Sequence, residues 1–155
     1  MDLEVIETLN GGDLLIKNND LSIIEGLQNM PYIGMFGGNV GHVTKEYKPI
    51  EQRFDFWGNT LFSNDKRNIQ FNSLTENTLN NIALTSSGRL TLEDAIKTDL
   101  SFFSEFATID VFTQLENVDR IKIFIEIKEP TNTQTNQFVY IWNATKQELL
   151  YGNNS

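Results

Sequence analysis

The sequence predicts an α+β fold with an N-terminal β-hairpin, two central helices and a C-terminal antiparallel meander that forms one half-covered sheet. The clearest strand is RIKIFIEIK at residues 120–128, where isoleucine takes every second position, the period of a strand with one buried face. In the middle of the chain, apolar residues instead recur every three or four positions, as they do on the buried side of a helix. Helices followed by a run of neighbouring strands are typical of an antiparallel sheet covered on one side.

The first third of the chain predicts a hairpin and then a short helix. Two short apolar runs within residues 13–25 flank Asn18 and Asn19, and asparagine tolerates the positive φ angles of a tight turn. After the hairpin, apolar residues at helical spacing predict a helix. It carries Pro31 in its first turn, where proline is tolerated, and ends at Gly37.

Two further helices are predicted in the middle of the chain. Ser73 and Glu76 have the spacing of a capping box, which marks the start of the first of them. Gly88 is predicted to end this helix, and Thr91 to cap the next. The predicted apolar side of the second helix consists of Leu92, Ala95, Ile96, Leu100 and Phe103.

The last third predicts three consecutive strands. Ile109 and Val111 belong to a strand that precedes residues 120–128 as their hairpin partner, and FVYIW at 138–142 supplies the third strand. The uncharged segment 138–142 leaves two alternatives open. It is either an edge strand available for pairing with another chain or an internal strand.

We expect one domain over residues 1–155. Within it we expect an N-terminal arm at 1–12, a long connection at 38–72 and a C-terminal tail at 144–155. A connection of that length is uncommon inside a compact domain and is usually functional.

Composition excludes several classes of function. The net charge is −9, and the longest basic run is Lys66-Arg67, so we expect neither a nucleic-acid partner nor binding to an anionic membrane. Without cysteine there is no disulfide and no thiolate ligand or nucleophile. The first residues lack the pattern of a signal peptide, and no apolar run approaches the roughly 20 residues that cross a bilayer. The expected setting is the cytosol or a particle assembled there.

Few residues suggest catalysis. The single histidine, His42, lies in a glycine-rich segment with no nucleophile or orienting partner near it in the sequence. Paired carboxylates are the remaining option, because glycoside hydrolysis needs two carboxyl groups about 5–9 Å apart, and Asp110, Glu126 and Glu129 are placed near strand ends. Glu126, however, alternates with lysines on the predicted solvent face. We expect no catalytic residue, no metal site and no cofactor.

The stretch FDFWGNTLF, residues 54–62, contains several aromatic side chains in a segment that is predicted to be a loop. Buried aromatic rings supply large apolar areas, whereas exposed ones favour association with another molecule. This loop therefore packs on its own core or docks on another chain. The candidate partner-binding residues within it are Phe54, Phe56, Trp57, Gly58 and Asn59.

Three stretches and their order resemble one known family. GGDLLIKNNDLSIIEGLQNMPYIGMFGGN, residues 11–39, resembles the opening of a small baseplate protein of Mu-like contractile phage tails, in which a hairpin precedes a short helix. FDFWGNTLF resembles the Trp-Trp-Gly-Asp element of that family, with Phe56 and Trp57 for the two tryptophans and Asn59 for the acid. The capped helix, the second helix and the meander follow in the same order, so the resemblance covers roughly residues 11–143.

The Mu-like proteins are similar in turn to the gene-25-like wedge family and to baseplates of contractile injection systems. The resemblance implies a non-enzymatic subunit of the baseplate wedge that initiates assembly of the tail sheath by accepting sheath strands on its sheet. It implies several copies around the tail axis, located in the virion after assembly in the host cytoplasm. The implied partners are other wedge proteins and the tail sheath protein, with the tail hub, spike and tube as further candidates.

The resemblance also indicates further partner-binding residues. A Glu-Pro-Arg motif of the broader family contacts the wedge bundle, and Glu105 matches its first residue. In the 138–142 strand the candidates are Phe138, Tyr140 and Trp142. Two other functions remain as alternatives: a carboxylate-dependent, lysozyme-like peptidoglycan glycosidase, and a free-standing binding module.

Overall fold

The computed structural model describes residues 1–8, 11–24, 26–38, 73–130 and 135–154. Together these residues form an α+β fold of short N-terminal strands, three α-helices and a C-terminal antiparallel sheet. The expected fold class is confirmed. No helix in these ranges has the length and apolar character needed to cross a membrane.

The C-terminal sheet has four strands, β7 (Thr108–Leu115), β8 (Arg120–Lys128), β9 (Thr135–Asn143) and β10 (Glu148–Asn154). They lie in the order β10-β9-β8-β7, and every neighbouring pair is antiparallel. The range 144–155, expected to form a C-terminal tail, instead contains strand β10. Gln147 takes a φ of 53° in the tight turn that leads into this strand.

One face of the sheet is buried, as the alternating sequence predicts. The four isoleucines of β8 are fully buried, whereas the residues between them are exposed or half-buried. The apolar residues of β7 and β9 that pair with these isoleucines belong to the same core. The isoleucines are Ile121, Ile123, Ile125 and Ile127.

Three α-helices and one 3₁₀-helix accompany the sheet, and their apolar residues join its core. They are α1 (Met30–Phe36), α2 (Leu74–Asn81), α3 (Ser86–Asp99) and the 3₁₀-helix Ser101–Glu105. The predicted apolar side of α3 and the residues that follow it is buried, which confirms that part of the pattern. Its members are Leu92, Ala95, Ile96, Leu100 and Phe103.

Two of the predicted helix boundaries are wrong. Ser73 caps α2 as expected, since its side chain accepts from the backbone N–H of Glu76. The helix then ends before Ile82, whose backbone is extended, and α3 is capped by Thr85 rather than by Thr91. Gly88 lies inside the first turn of α3. A Cβ there would lie 2.1 Å from the carbonyl oxygen of Ala83, so the position requires glycine because of a close approach and not because it ends a helix.

The helices are held together at their ends. Gly34 allows α1 to approach Leu100, since a Cβ at this position would lie 2.8 Å from a methyl group of Leu100. The carboxylate of Asp99, at the end of α3, accepts from the backbone N–H groups of Leu74 (3.0 Å) and Thr75 (2.7 Å) in the first turn of α2. Burial nevertheless raises the pKa of Asp99 above its ordinary value.

The N-terminal region consists of three two-stranded ladders. β2 (Val5–Thr8) pairs with β3 (Gly11–Leu14), so most of the expected N-terminal arm is strand. The predicted hairpin is present, with Asn18 and Asn19 at φ angles of 53° and 63° in its turn. The other strands are β1 (Asp2–Leu3), which pairs with β6 (Ile23–Ile24), and β4 (Ile16–Lys17), which pairs with β5 (Asp20–Leu21).

Candidate strand-docking edge

The C-terminal sheet ends in two strands, β10 on one side and β7 on the other. β10 comes close to β2 of the N-terminal region. Among the described residues, no strand pairs with the outer side of β7. β7 is therefore where the sheet presents backbone hydrogen-bonding groups that another strand could use.

The register of β7 with β8 determines which backbone groups point outward. In an antiparallel pair, residues whose N–H and C=O bond the partner strand alternate with residues whose groups point away from it. Thr113 belongs to the second kind, because its backbone groups bond side chains of α3 instead of β8. The pairing continues without a register shift. Val111 and Ile109, two and four positions earlier, therefore also direct their N–H and C=O groups outward.

Two side chains of α3 close the edge at Thr113. Glu93 Oε1 accepts from the backbone N–H and from the hydroxyl of Thr113, both at 2.9 Å. Arg89 Nη1 donates to the same Glu93 oxygen at 2.8 Å and to the Thr113 carbonyl at 3.1 Å. Glu93 and Thr113 are both buried, where leaving these groups unpaired would be costly. We call Arg89, Glu93 and Thr113 the clasp.

Arg89 also extends the clasp to the outer face of the sheet. Its guanidinium carbon lies 5.7 Å from the centre of the Phe112 ring, within the range of a cation–π contact. Phe112 is 57% exposed and lies opposite Phe124 of β8, with 6.0 Å between the ring centres. One arginine thus spans the sheet edge, from the buried carboxylate of Glu93 to an aromatic ring on the outside.

The segment from Ile109 to Val111 has no such cover. Within the described part of the chain, nothing bonds the outward N–H and C=O groups of these two residues. β7 is therefore closed at Thr113 and open at Ile109 and Val111. We call Ile109–Val111 the open segment.

Two cavities flank the open segment, one on each side of the sheet. The first, of about 260 Å³, lies between the start of β7 and the end of α3, and is lined by Lys97, Leu100, Ser101, Ser104, Ala107, Thr108 and Ile109. The second, of about 390 Å³, lies on the outer face and is lined by Asp110, Val111, Phe112, Phe124 and Glu126. Side chains of an added strand would alternate between the two sides.

The two cavities differ in charge. Asp110 and Glu126 are directly opposite each other on β7 and β8, and both are exposed. Glu126 accepts a hydrogen bond from the side-chain amide of Gln137 at 2.7 Å. The inner cavity has Lys97 as its one charged residue. The outer side of the open segment is thus acidic and aromatic, and the inner side is mostly small or apolar.

Of the two alternatives for residues 138–142, the structure shows the internal strand. β9 pairs with β8 on one side and with β10 on the other, so its backbone is not an open edge. Phe138, Tyr140 and Trp142 are 3–4% exposed and belong to the core. They are not an exposed partner surface, because alternation places them on the buried face. Burial also raises the pKa of Tyr140.

Glu105 is exposed at the end of the 3₁₀-helix, three residues before β7 begins. This places it close in sequence to the open segment. The other candidate partner-binding residues, Phe54, Phe56, Trp57, Gly58 and Asn59, lie outside the described residues, as does His42.

The carboxylates considered for catalysis are only partly brought together. Asp110 and Glu126 form a cross-strand pair, whereas Glu129 lies beyond the end of β8. In the ranges that the structure describes, no three histidine or acidic side chains are grouped so as to hold a metal ion. The arrangement offers backbone hydrogen-bonding groups, two cavities and one pair of exposed carboxylates.

The clasp was not found by sequence reasoning, although the sequence contains a sign of it. Once α3 is known to begin at Ser86, Arg89 and Glu93 are one helical turn apart. Arginine before glutamate is the less favourable order for stabilising a helix, which indicates a role outside the helix. The misplaced boundaries at Gly88 and Thr91 hid this relationship.

Comparisons with protein-family models, with curated proteins and with solved structures find no match to this chain.

Proposed function

We propose that this chain is a non-enzymatic subunit of a contractile-tail baseplate wedge, and that it initiates sheath assembly by accepting an extended segment of the sheath protein. Other wedge proteins would hold it in several copies around the tail axis. The strand would be accepted at the edge of β7, not at residues 138–142.

The observation that carries this proposal is the open segment of β7. Exposed sheet edges are normally blunted by charge, proline, a bulge or a covering element, because they recruit other strands. Here the clasp covers one part of the edge, whereas Ile109 and Val111 keep outward backbone groups between two cavities. Strand addition uses such groups for affinity and flanking cavities for specificity. The order of hairpin, helices and meander also agrees with the resemblance to the baseplate family.

The proposal is tested by co-expressing the chain with the sheath protein of the tail system from the same genome. We expect a stable complex, and short sheath polymers that start from it when the two proteins are mixed. The Ile109→Pro variant should lose the complex, because proline removes one outward N–H group from the edge. Sheath polymers that form equally well without the chain would contradict the proposal.

The aromatic stretch at residues 54–62 gives a separate test of anchoring. Replacing Phe56 and Trp57 with alanine should reduce the yield of sheathed particles, because large aromatic side chains dominate many interfaces. Phe71→Ala, an aromatic truncation outside the stretch, serves as the control. Sheathed, infectious tails at the normal yield would show that Phe56 and Trp57 carry no essential interface.

One observation favours a second candidate, a carboxylate-dependent peptidoglycan glycosidase. Asp110 and Glu126 face each other beside the rings of Phe112 and Phe124 in an open cavity, and glycosidases use two carboxyl groups near the bound sugar. Both carboxylates are exposed, unlike a general acid held in an apolar pocket. Clearing of a peptidoglycan suspension that Glu126→Gln abolishes would favour the glycosidase, whereas no clearing favours the wedge subunit.

A further inference from the structure

We propose that the segment accepted by β7 carries a basic side chain toward Asp110 and Glu126, and apolar side chains toward the inner cavity, and that it pairs with the open segment only. This inference rests on the proposed function, since it specifies the partner strand and the extent of its pairing at the same edge. It concerns chemistry that the edge selects for, and it is testable without the partner protein.

The basic side chain follows from the geometry of cross-strand pairs. Residues directly opposite each other on neighbouring strands point to the same face. The partner residue opposite Asp110 would therefore lie on the outer face, next to that carboxylate. Glu126 lies one strand further on, within reach of a lysine or arginine, which also gains a contact with the exposed ring of Phe112. An acidic residue at this position would meet two like charges.

The positions of the partner's inward-facing side chains follow from the same alternation. The partner residues on either side of the basic one would lie opposite Ile109 and Val111, and so on the inner face. There the cavity beside Leu100, Ser104 and Ala107 measures about 260 Å³. This volume is large enough for an apolar side chain, including that of valine.

The clasp limits how far the pairing extends. At Thr113, the next outward-facing position after Val111, the backbone N–H and C=O are already bonded to Glu93 and Arg89. A partner strand would need to displace a buried, hydrogen-bonded carboxylate to continue. The clasp thus sets the end of the pairing, and the partner strand ends before Thr113.

The probe is the peptide acetyl-Thr-Val-Lys-Val-Thr-amide, which reads the same in both directions and so does not presuppose a parallel or antiparallel partner. Titrated into the full ¹⁵N-labelled chain, it should shift the amide resonances of Ile109 and Val111 and leave that of Thr113 nearly unchanged. The peptide with Glu in place of Lys should bind at least tenfold more weakly. A peptide methylated on every backbone nitrogen should not bind in either orientation, because it lacks the donors that pair with the edge.

Pairs of substitutions distinguish the contribution of charge to peptide binding from that of backbone pairing. Asp110→Asn combined with Glu126→Gln should erase the preference for lysine over glutamate while the peptides still shift Ile109 and Val111. The combination Asp20→Asn and Asp94→Asn removes the same charge from exposed positions elsewhere and should leave the preference intact. Ile109→Pro should abolish binding of both peptides without disturbing the resonances of β9.

Several results would overturn the inference: no shift at the open segment, equal binding of the two peptides, or a shift that extends through Thr113 with the clasp displaced. Its failure is distinguishable from that of the proposed function. If the sheath complex forms but the lysine peptide is not preferred, only the partner chemistry is wrong. If the peptide binds as expected but the sheath protein does not, the edge is correct and the sheath assignment is wrong.

Discussion

The open segment and Thr113 belong to one strand in one register, but their outward backbone groups differ in what they bond. At Thr113 the backbone is bonded to Glu93 and Arg89 of α3. At Ile109 and Val111 the described residues provide no partner. The difference lies in the reach of α3, whose Arg89 and Glu93 side chains bond the backbone of Thr113 and not that of Ile109 or Val111.

A covered edge is protected against aggregation, whereas an open edge can bind a partner strand. An edge that only needed protection against aggregation could carry charge or proline along its whole length. β7 instead has a clasp built from buried polar groups at one position, and outward backbone groups between two cavities at the others. The open segment is therefore the part of this edge that is suited to a partner.

Proline substitutions at the adjacent positions 109 and 110 should differ most in their effect on the free energy of unfolding. Asp110→Pro removes an N–H that bonds β8 within the ladder and should destabilise the protein by about 3 kcal/mol. Ile109→Pro removes an outward N–H and should cost about 1 kcal/mol, mainly through the half-buried side chain. Urea unfolding measures both, and Ile109→Ala corrects for the lost side chain. Equal costs at the two positions would mean that the assignment of inward and outward groups is wrong.

Opening the clasp should have the next largest effect. Glu93→Ala leaves the buried N–H and hydroxyl of Thr113 without an acceptor, so we expect a loss of about 3 kcal/mol in the free energy of unfolding. Glu93→Gln retains an acceptor oxygen and should lose about 1 kcal/mol. Amide exchange at Thr113 should rise to the rate of Val111 in the alanine variant only. Unchanged exchange at Thr113 would show that Glu93 does not protect it.

A smaller effect is expected from Arg89→Lys, which keeps the positive charge but removes the planar fork. Lysine cannot bond Glu93 and the Thr113 carbonyl in the same geometry while contacting Phe112. The expected loss is about 1 kcal/mol. Phe112→Leu, combined with the uncharged Arg89→Gln in a double-mutant cycle, measures the part due to the aromatic ring. A coupling energy of zero would exclude the cation–π contact.

The smallest effect provides a control far from β7. Hydrogen bonds from Lys17 Nζ (2.8 Å) and Ser22 Oγ (2.6 Å) lower the pKa of Glu4. A lowered pKa in the folded state means that the ionised group stabilises the fold above its unfolded pKa, and that this stabilisation is lost as the pH falls through the folded pKa. Acidification to about pH 3 should lower the amide protection factors, which compare observed with intrinsic exchange at the same pH, in β4 and β5 without changing that of Val111.

Glu4→Gln should remove this dependence on pH in the N-terminal ladders. If the amides of β4 and β5 in the variant still respond to acid as in the original chain, Glu4 is not the responsible group.

The sequence was sufficient to predict the elements in which the spacing of apolar residues reflects burial. Alternation in residues 120–128 predicted both the strand and its buried face, and Ser73 with Glu76 predicted the start of α2. Gly88 was misread because glycine serves both at helix ends and at close approaches. Local sequence does not distinguish the two uses.

The candidate site was harder to predict, because it depends on which strands become neighbours. The uncharged segment 138–142 suits an edge or an internal strand equally well, and only the presence of β10 decides between them. The clasp needs Arg89, Glu93 and Thr113 to meet across 24 positions of sequence, which no local pattern reveals.

The most direct test of the proposed function is an image of a contractile-tail baseplate that contains this chain, at a resolution that traces the backbones of neighbouring chains. We expect an extended segment of another subunit within hydrogen-bond distance of Ile109 and Val111, ending before Thr113, with Glu93 still bonded there. A bare β7 edge in the assembled particle, with all neighbouring subunits bound elsewhere, would contradict the account.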